Sequence, residues 1–470
     1  MVTETEYSRF HISAQPAPHL AGHPNRFLVR VGRLDLARHL IREVFHQKGN
    51  MAVVTSRPCM YGVFSGPIGG FAPRPHVCVG CLRCMMEYPD FVLVRPNPAR
   101  LQLGDSYLSP DQVDTILYEA SSGRVPVKGA GYRGAFAGEG WDGMWTDMSE
   151  IVRPTRDGIH GRETISTAVD LGTTPDFLAL DSDGRPTGEV PRAISMEVPW
   201  VFDLPPASAL SETLIRAYVR TAEAVNSLVV LPMDWIRRLR LDSQSVVPLL
   251  RPSDREALAS FSRPPRLIEL DGYDSDVAAR WGELFPQSLL FVRTPMDAGI
   301  LSLVDRGLRL FHLTADYHGR TTNGFAIQAL RAIHDTLVAR GVREQVTLIG
   351  SGGIAAAEHV PKAIICGLDA VGLDTALLIA LQGRFVGEVA DPATARIAMP
   401  RLKLGWATQR LINLSASWRD QLLEILGAMG LREVRRLRGE IGRSMFNDEL
   451  EHEAFSGIEG YEAAHVPTRR

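Results

Sequence analysis

The stretch VTLIGSGGIAAAEHVPKAIICGLDAVGLDTALL, residues 346–378, reads as strand, glycine turn, helix and strand. Apolar runs of this length, without alternation, belong to strands buried on both faces, as in a parallel sheet. The same rhythm extends back towards the N-terminus through LRLFHLTA, SLLFVRT, RLIELDG, SVVPLL, SLVVLP and PWVFDL. Helical patterns fall between these runs, over Ser211–Val225, Phe325–Arg340 and residues 357–366. Strands alternating with helices predict parallel pairing through crossovers. Eight strands in roughly 190 residues predict an α/β fold, a (β/α)8 TIM-type barrel with short loops. A doubly wound open sheet is the structural runner-up.

Gly352 and Gly353 follow the seventh run, and Asp374 and Thr375 follow the eighth. Glycines there let backbone N–H groups approach a phosphate, and barrels commonly bind phosphate after strands seven and eight. The pair of strand ends therefore predicts a phosphate-bearing cofactor.

Upstream, Cys78, Cys81 and Cys84 form C-x2-C-x2-C. This spacing lets one tight turn present three thiolates to an iron–sulfur cube. In two-cluster bacterial ferredoxins the run continues to a fourth cysteine, which serves the other cluster. Here Tyr88 stands at that position, and Pro89 is kept. Cys59, in SRPCMYGVF, is the remaining candidate ligand, so one [4Fe–4S] cluster on Cys59, Cys78, Cys81 and Cys84 is expected. A three-iron cluster without Cys59 and a zinc site are the alternatives. Cys366 lies in an apolar run and reads as a buried hydrophobe.

The 470 residues are 45% hydrophobic and 22% charged, with a net charge of −3. Such a chain has apolar surface for a large core and no global basic field to recruit nucleic acid. No apolar run is long enough for a membrane span, and the N-terminus lacks the apolar core of a secretory signal, so the cytoplasm is the expected compartment. The organisation predicted is an arm and helix over 1–50, a ferredoxin-like iron–sulfur module over 51–130, and a connector over 131–190. The barrel follows over 191–385, with a helical extension over 386–470.

Three segments carry a family resemblance. WTDMSEIVRPTRDGIHGRE (Trp145–Glu163), the 346–378 stretch, and WATQRLINLSASWRDQLLEILGAMGLREVRRLRG near the C-terminus resemble archaeal-type, FMN-binding glutamate synthases. The resemblance covers about residues 130–445 with gaps. It implies an FMN barrel fed by iron–sulfur chemistry, reducing the imine of 2-oxoglutarate and ammonia. Ser351, Gly352, Gly353, Asp374 and Thr375 match the family's phosphate loops, and Arg293 lies where the family has a basic residue that steadies reduced flavin.

The chain departs from that pattern in several places. RLIELDGYDS lacks the family's lysine, glutamine and glycine-rich loop on the fourth strand. LTADYHGRT keeps only His318, Gly319 and Thr321 of the sixth-strand pattern. No cysteine occurs between Gln382 and Pro400, where the family binds a three-iron cluster. No glutaminase-type domain is present, so ammonia is expected from elsewhere.

Asp316 and His318 are the candidate proton donors, with His312 beside them. Asp203 and Asp271 end strands one and four, as cofactor contacts or caps. Arg153, Arg156, Asp157, His160, Arg162 and Glu163 read as a charge network docking the cluster module. The expectation is a glutamate synthase-like FMN and iron–sulfur oxidoreductase subunit acting on a small imine-type substrate. It would work with other redox subunits or a ferredoxin-like donor, in an oligomer or hetero-complex. The alternative is a non-catalytic electron-transfer or scaffold subunit of a larger redox complex.

Overall fold

The computed structural model describes residues 10–461, apart from 21, 56–58, 130–137, 147–163, 174–178, 188–191, 252–253, 255–260, 262 and 298. Eight parallel strands close into a barrel: β1 (Trp200–Phe202), β2 (Val229–Pro232), β3 (Val246–Leu250), β4 (Leu267–Asp271), β5 (Leu289–Pro295), β6 (Leu310–Thr314), β7 (Thr347–Ser351) and β8 (Ala370–Leu373). β8 returns to β1 through Val371↔Trp200 and Leu373↔Phe202, so no strand edge is left open. These are the eight runs named from the sequence. The open-sheet alternative is excluded by that closure.

The strands are short, yet β1, β3, β7 and β8 are buried at every position. Burying a Val, Leu or Ile side chain contributes roughly 1.5–3 kcal/mol. Such a core over-determines the barrel against the weak propensity of any single strand. Helices Glu212–Ala224 and Ala326–Ala339 fall within a residue of the helices read from their periodicity. Ser211 begins the first by accepting from the Leu214 N–H, which satisfies one orphan donor of the first turn. A hairpin of Val169–Gly172 and Ala193–Met196 meets the barrel's N-terminal end, where the Thr347 hydroxyl donates to Gly172 O at 2.6 Å.

The longest helix, Leu404–Ala428, packs between Glu212–Ala224 and Pro110–Ser122. Trp418 meets Trp200 edge-on, with ring centroids 6.4 Å apart. Arg410 is fully buried on this helix and donates to the carbonyls of Ala380, Ala17 and Leu117. Burial without a carboxylate partner pulls its guanidinium down to about 9. The N-terminal arm is thus tied to the barrel through Ala17.

Strand Phe27–Val31 pairs antiparallel with Val92–Pro96. This pair draws on both of the first two segments expected from the sequence. Phe27, Val29, Val63, Val92 and Val94 form a separate small core under it. Among the described residues no helix is long and apolar enough to cross a membrane. The connector's predicted charge network, Arg153 to Glu163, lies outside the described residues.

Candidate functional site

Cys59, Cys78, Cys81 and Cys84 line one small cavity, walled otherwise by apolar groups such as Val63, Phe64 and Val94. The approach is tight. Gly80 sits at φ +67°, and a Cβ there would lie 2.2 Å from the Phe27 ring. Leu82 also takes a left-handed conformation, φ +61°, to start the short helix Arg83–Glu87 that carries Cys84. Burial raises the Cys78 thiol, and the charges of Cys59 and Cys81 add to the rise. Burial, with the charges of Cys78, Cys81 and Cys59, pushes Cys84 up to about 11. Thiols that penalise one another's ionisation in this way gain most from a shared cationic centre, since metal ligands must be deprotonated. The donor types therefore suit an iron–sulfur cluster; among the described residues no three of these thiols stand close enough to share a single metal ion.

A second group of polar side chains fills the barrel interior. Arg293 on β5 forms a bidentate pair with Asp203, both bonds at 2.8 Å, and reaches Glu269 on β4 at 3.3 Å. His312 on β6 lies 2.7 Å from Glu269 through Nδ1 and 2.7 Å from the Ser351 hydroxyl through Nε2. Gly372 makes room for that last contact: a Cβ there would fall 1.8 Å from Ser351 Oγ. Burial opposes ionisation of Asp203, but the Arg293 charge, His312 and their hydrogen bonds hold it well below the usual carboxylate range. Burial and the Asp203 charge push neighbouring Asp374 up to about 7, against the pull of its bond from the Thr375 N–H.

The sequence-derived residues divide between these places. Ser351 turns its side chain into the barrel towards His312, so only its backbone belongs to the loop beyond. Gly352 and Gly353 hold φ of +122° and +72°, left-handed conformations suited to glycine. Both are buried, as is Ile354. Among the described residues, nothing accepts from the backbone N–H groups of Gly352, Gly353 and Ile354. Buried donors of this kind require a partner, and successive N–H groups in such a loop make an anion cradle. Asp374 caps the next helix, accepting from the Thr375 N–H and, at 3.0 Å, from its hydroxyl. Arg293 is matched in charge by Asp203 and Glu269 rather than standing free.

Asp316 accepts from the backbone N–H groups of His318 and Arg320 and so builds the turn after β6. His318 pairs with Asp105 at 2.9 Å. Burial disfavours its charge, but the Asp105 bond and charge prevail and raise its pKa. His318 borders a cavity bounded by Tyr107, Arg320, Phe325 and Arg331. Asp271 lies at the surface beside Arg251, 3.4 Å away.

Four participants escaped the sequence reading. Glu269 was signalled by a lone acid inside an apolar strand. Tyr107 and the pair Asp142–His359, 2.9 Å apart, had no local signal.

A family model described as the conserved region in glutamate synthase matches residues 315–432. An archaeal-type glutamate synthase [NADPH] of Dehalococcoides mccartyi is 22% identical over 435 residues, covering 78% of this chain and 86% of the relative. An archaeal glutamate synthase [NADPH] of Methanocaldococcus jannaschii is 34% identical over 122 residues, 24% of each chain. Among solved structures, a mutant flavocytochrome b2 with pyruvate bound aligns with a TM-score of 0.42 at 11% identity, covering 70% of this chain and 79% of that one. The chain is thus similar to archaeal-type glutamate synthases over most of its length at low identity, and it matches the conserved region in glutamate synthase over residues 315–432.

Proposed function

We propose that this protein is a glutamate synthase-like oxidoreductase subunit that passes electrons from one [4Fe–4S] cluster to FMN and on to a small imine-type substrate. The observation that carries the reading is the convergence of four thiols, from two separated stretches, on one cavity in a chain similar to archaeal-type glutamate synthases. Cys59, Cys78, Cys81 and Cys84 would hold the cluster in a ferredoxin-like module. The unpartnered N–H groups of Gly352, Gly353 and Ile354 fit the flavin phosphate. When bound, FMN supplies hydride and single-electron chemistry.

The chain's own residues do the rest. The Asp203 fork fixes the Arg293 guanidinium in the barrel. Asp374 carries only part of a charge near neutrality, which limits its repulsion of a phosphate. His318, with its proton favoured by Asp105, is the candidate donor at the neighbouring cavity. Asp316 is the weaker candidate, because one of its oxygens already takes two backbone bonds. Electrons would come from other redox subunits or a ferredoxin-like donor in the cytoplasm.

One observation favours the non-catalytic alternative: Arg293 has its charge matched on both sides and is poorly placed to steady an anionic flavin. Anaerobic purification with iron, sulfide and flavin analysis decides between the readings. About four irons and one FMN per chain are expected. Ammonia-dependent glutamate formation with an artificial reductant should be weak or absent. Turnover above about 1 s⁻¹, inside the ordinary enzyme range, would mean that the altered pocket still makes glutamate. A chain that neither holds nor takes up FMN would overturn the flavoenzyme reading.

A further inference from the structure

The anion cradle at the end of β7 is held by a residue from outside the barrel. The Tyr107 hydroxyl donates to Gly353 O at 2.6 Å, across 246 residues of sequence. A peptide unit is planar and trans, so the carbonyl of Gly353 and the N–H of Ile354 point in opposite directions. Fixing the carbonyl on Tyr107 therefore aims the Ile354 N–H away from the phenol. The loop has little freedom to evade this constraint, because a Cβ on Gly353 would lie 2.9 Å from Gly319 Cα and 3.0 Å from Tyr107 Oη.

Tyr107 is itself held. Asp105 accepts from the Tyr107 and Leu108 N–H groups at 3.0 and 2.9 Å. Its other oxygen meets His318, whose ring stacks on Tyr107 at 5.3 Å between centroids and 25° between planes. The turn is tight enough to need glycine before it: Gly104 sits at φ +81°, and a Cβ there would collide with Leu108 O at 1.8 Å. A phenol built into a turn, clamped to the barrel by an ion pair and aimed at one carbonyl, is more than a packing contact requires.

We infer that Tyr107 is a positioning residue for a phosphoryl group, setting the donor geometry of the Gly352–Ile354 loop through the Gly353 carbonyl. The inference rests on the flavin reading above only for the choice of probe. In the full-length chain, FMN and riboflavin differ by that phosphoryl group alone, so the pair isolates the loop's contribution. Tyr107→Phe removes one oxygen and keeps the ring on His318.

The expected result is a wild-type chain that binds FMN at least tenfold more tightly than riboflavin, followed by loss of about fivefold to tenfold in FMN affinity for Tyr107→Phe. That loss is the size of one ordinary neutral hydrogen bond, the one from Tyr107 to the Gly353 carbonyl. Riboflavin affinity should not move. Equal losses for both flavins, or no loss for either, would overturn the role of Tyr107. A wild-type chain that binds the two flavins alike would overturn the phosphate reading itself, and this inference with it.

Discussion

Gly372→Ala is the substitution that most directly tests the polar interior of the barrel. Gly372 is on β8, level with Ser351 on β7. A methyl group there would stand 1.8 Å from Ser351 Oγ, 3.1 Å from Ser351 Cβ and 3.2 Å from His312 Nε2. No relaxation of a tenth of an ångström resolves the first contact. The Ser351 side chain must rotate, and it then gives up His312, which is fully buried. An unmade bond on a buried group costs about 1–3 kcal/mol, and overpacking of a core adds about 1–3 kcal/mol. The expected loss is therefore about 2–6 kcal/mol, the sum of those two ranges. Urea unfolding followed by circular dichroism measures it. The discriminating control is Ser351→Ala, which removes the colliding oxygen in advance. In that background Gly372→Ala should cost at least about 1.5 kcal/mol less, a coupling within the range for residues in contact. Additive losses in the double-mutant cycle would refute the steric account and with it the stated role of Gly372.

Cys59→Ala should convert the expected four-iron cluster to a three-iron form or lose it, while Tyr88→Phe leaves iron content unchanged; an intact four-iron spectrum in Cys59→Ala would remove Cys59 from the ligand set. Asp374 keeps its proton in the folded chain up to about pH 7, whereas an unfolded Asp loses it near 3.8. Its contribution to stability is therefore full below about pH 4 and is lost as pH rises to about 7. Asp374→Asn should gain relative to wild type across that window, by a few kcal/mol at most at about 1.4 kcal/mol per unit, and parallel stability curves between pH 4.5 and 7.5 would contradict this. Glu269→Gln withdraws one of the two acids facing Arg293. It should raise affinity for anionic, reduced flavin relative to oxidised flavin, read as a more positive flavin potential, and an unchanged potential would count against any electrostatic reach of Arg293 to the flavin.

The barrel was legible because each strand is an apolar run too short for a buried helix, with a glycine, proline or acid at or near its end. The cysteine cavity was legible from spacing, since three of its four cysteines lie within seven residues. Glu269 was visible but unread: an acid inside RLIELDG is costly unless paired, and its partners Arg293 and His312 sit on other strands. Ser351 was assigned to the phosphate loop through the family resemblance, yet its side chain follows the inward phase of β7 and meets His312 instead. Contacts such as Tyr107 to Gly353 join positions that no local pattern relates. They follow from where the chain travels after the cysteine module, and periodicity carries no information about that route.

That route has a consequence for how the two proposed cofactor regions relate. The loop after β7 is braced from two directions, and neither brace belongs to the barrel strands. On one side Tyr107 holds Gly353. On the other, Asp142 accepts from His359 at 2.9 Å, and His359 Nδ1 accepts in turn from the Ala355 N–H at 3.1 Å. That second bond fixes the imidazole proton on Nε2, because a nitrogen that accepts cannot also carry it. Gln112 steadies Asp142 from behind at 2.9 Å, and Lys362 anchors the carbonyl of Trp141 at 2.8 Å. All of the bracing groups except His359 and Lys362 come from residues 105–142, the stretch that follows the cysteines. An isolated barrel would have the glycines and the helix but not the groups that orient them. The cysteine-bearing region and the Gly352–Ile354 loop are therefore parts of one hydrogen-bonded assembly. Displacement of the segment after the cysteines would be felt first at Gly353 and Ala355, the positions on either side of Ile354.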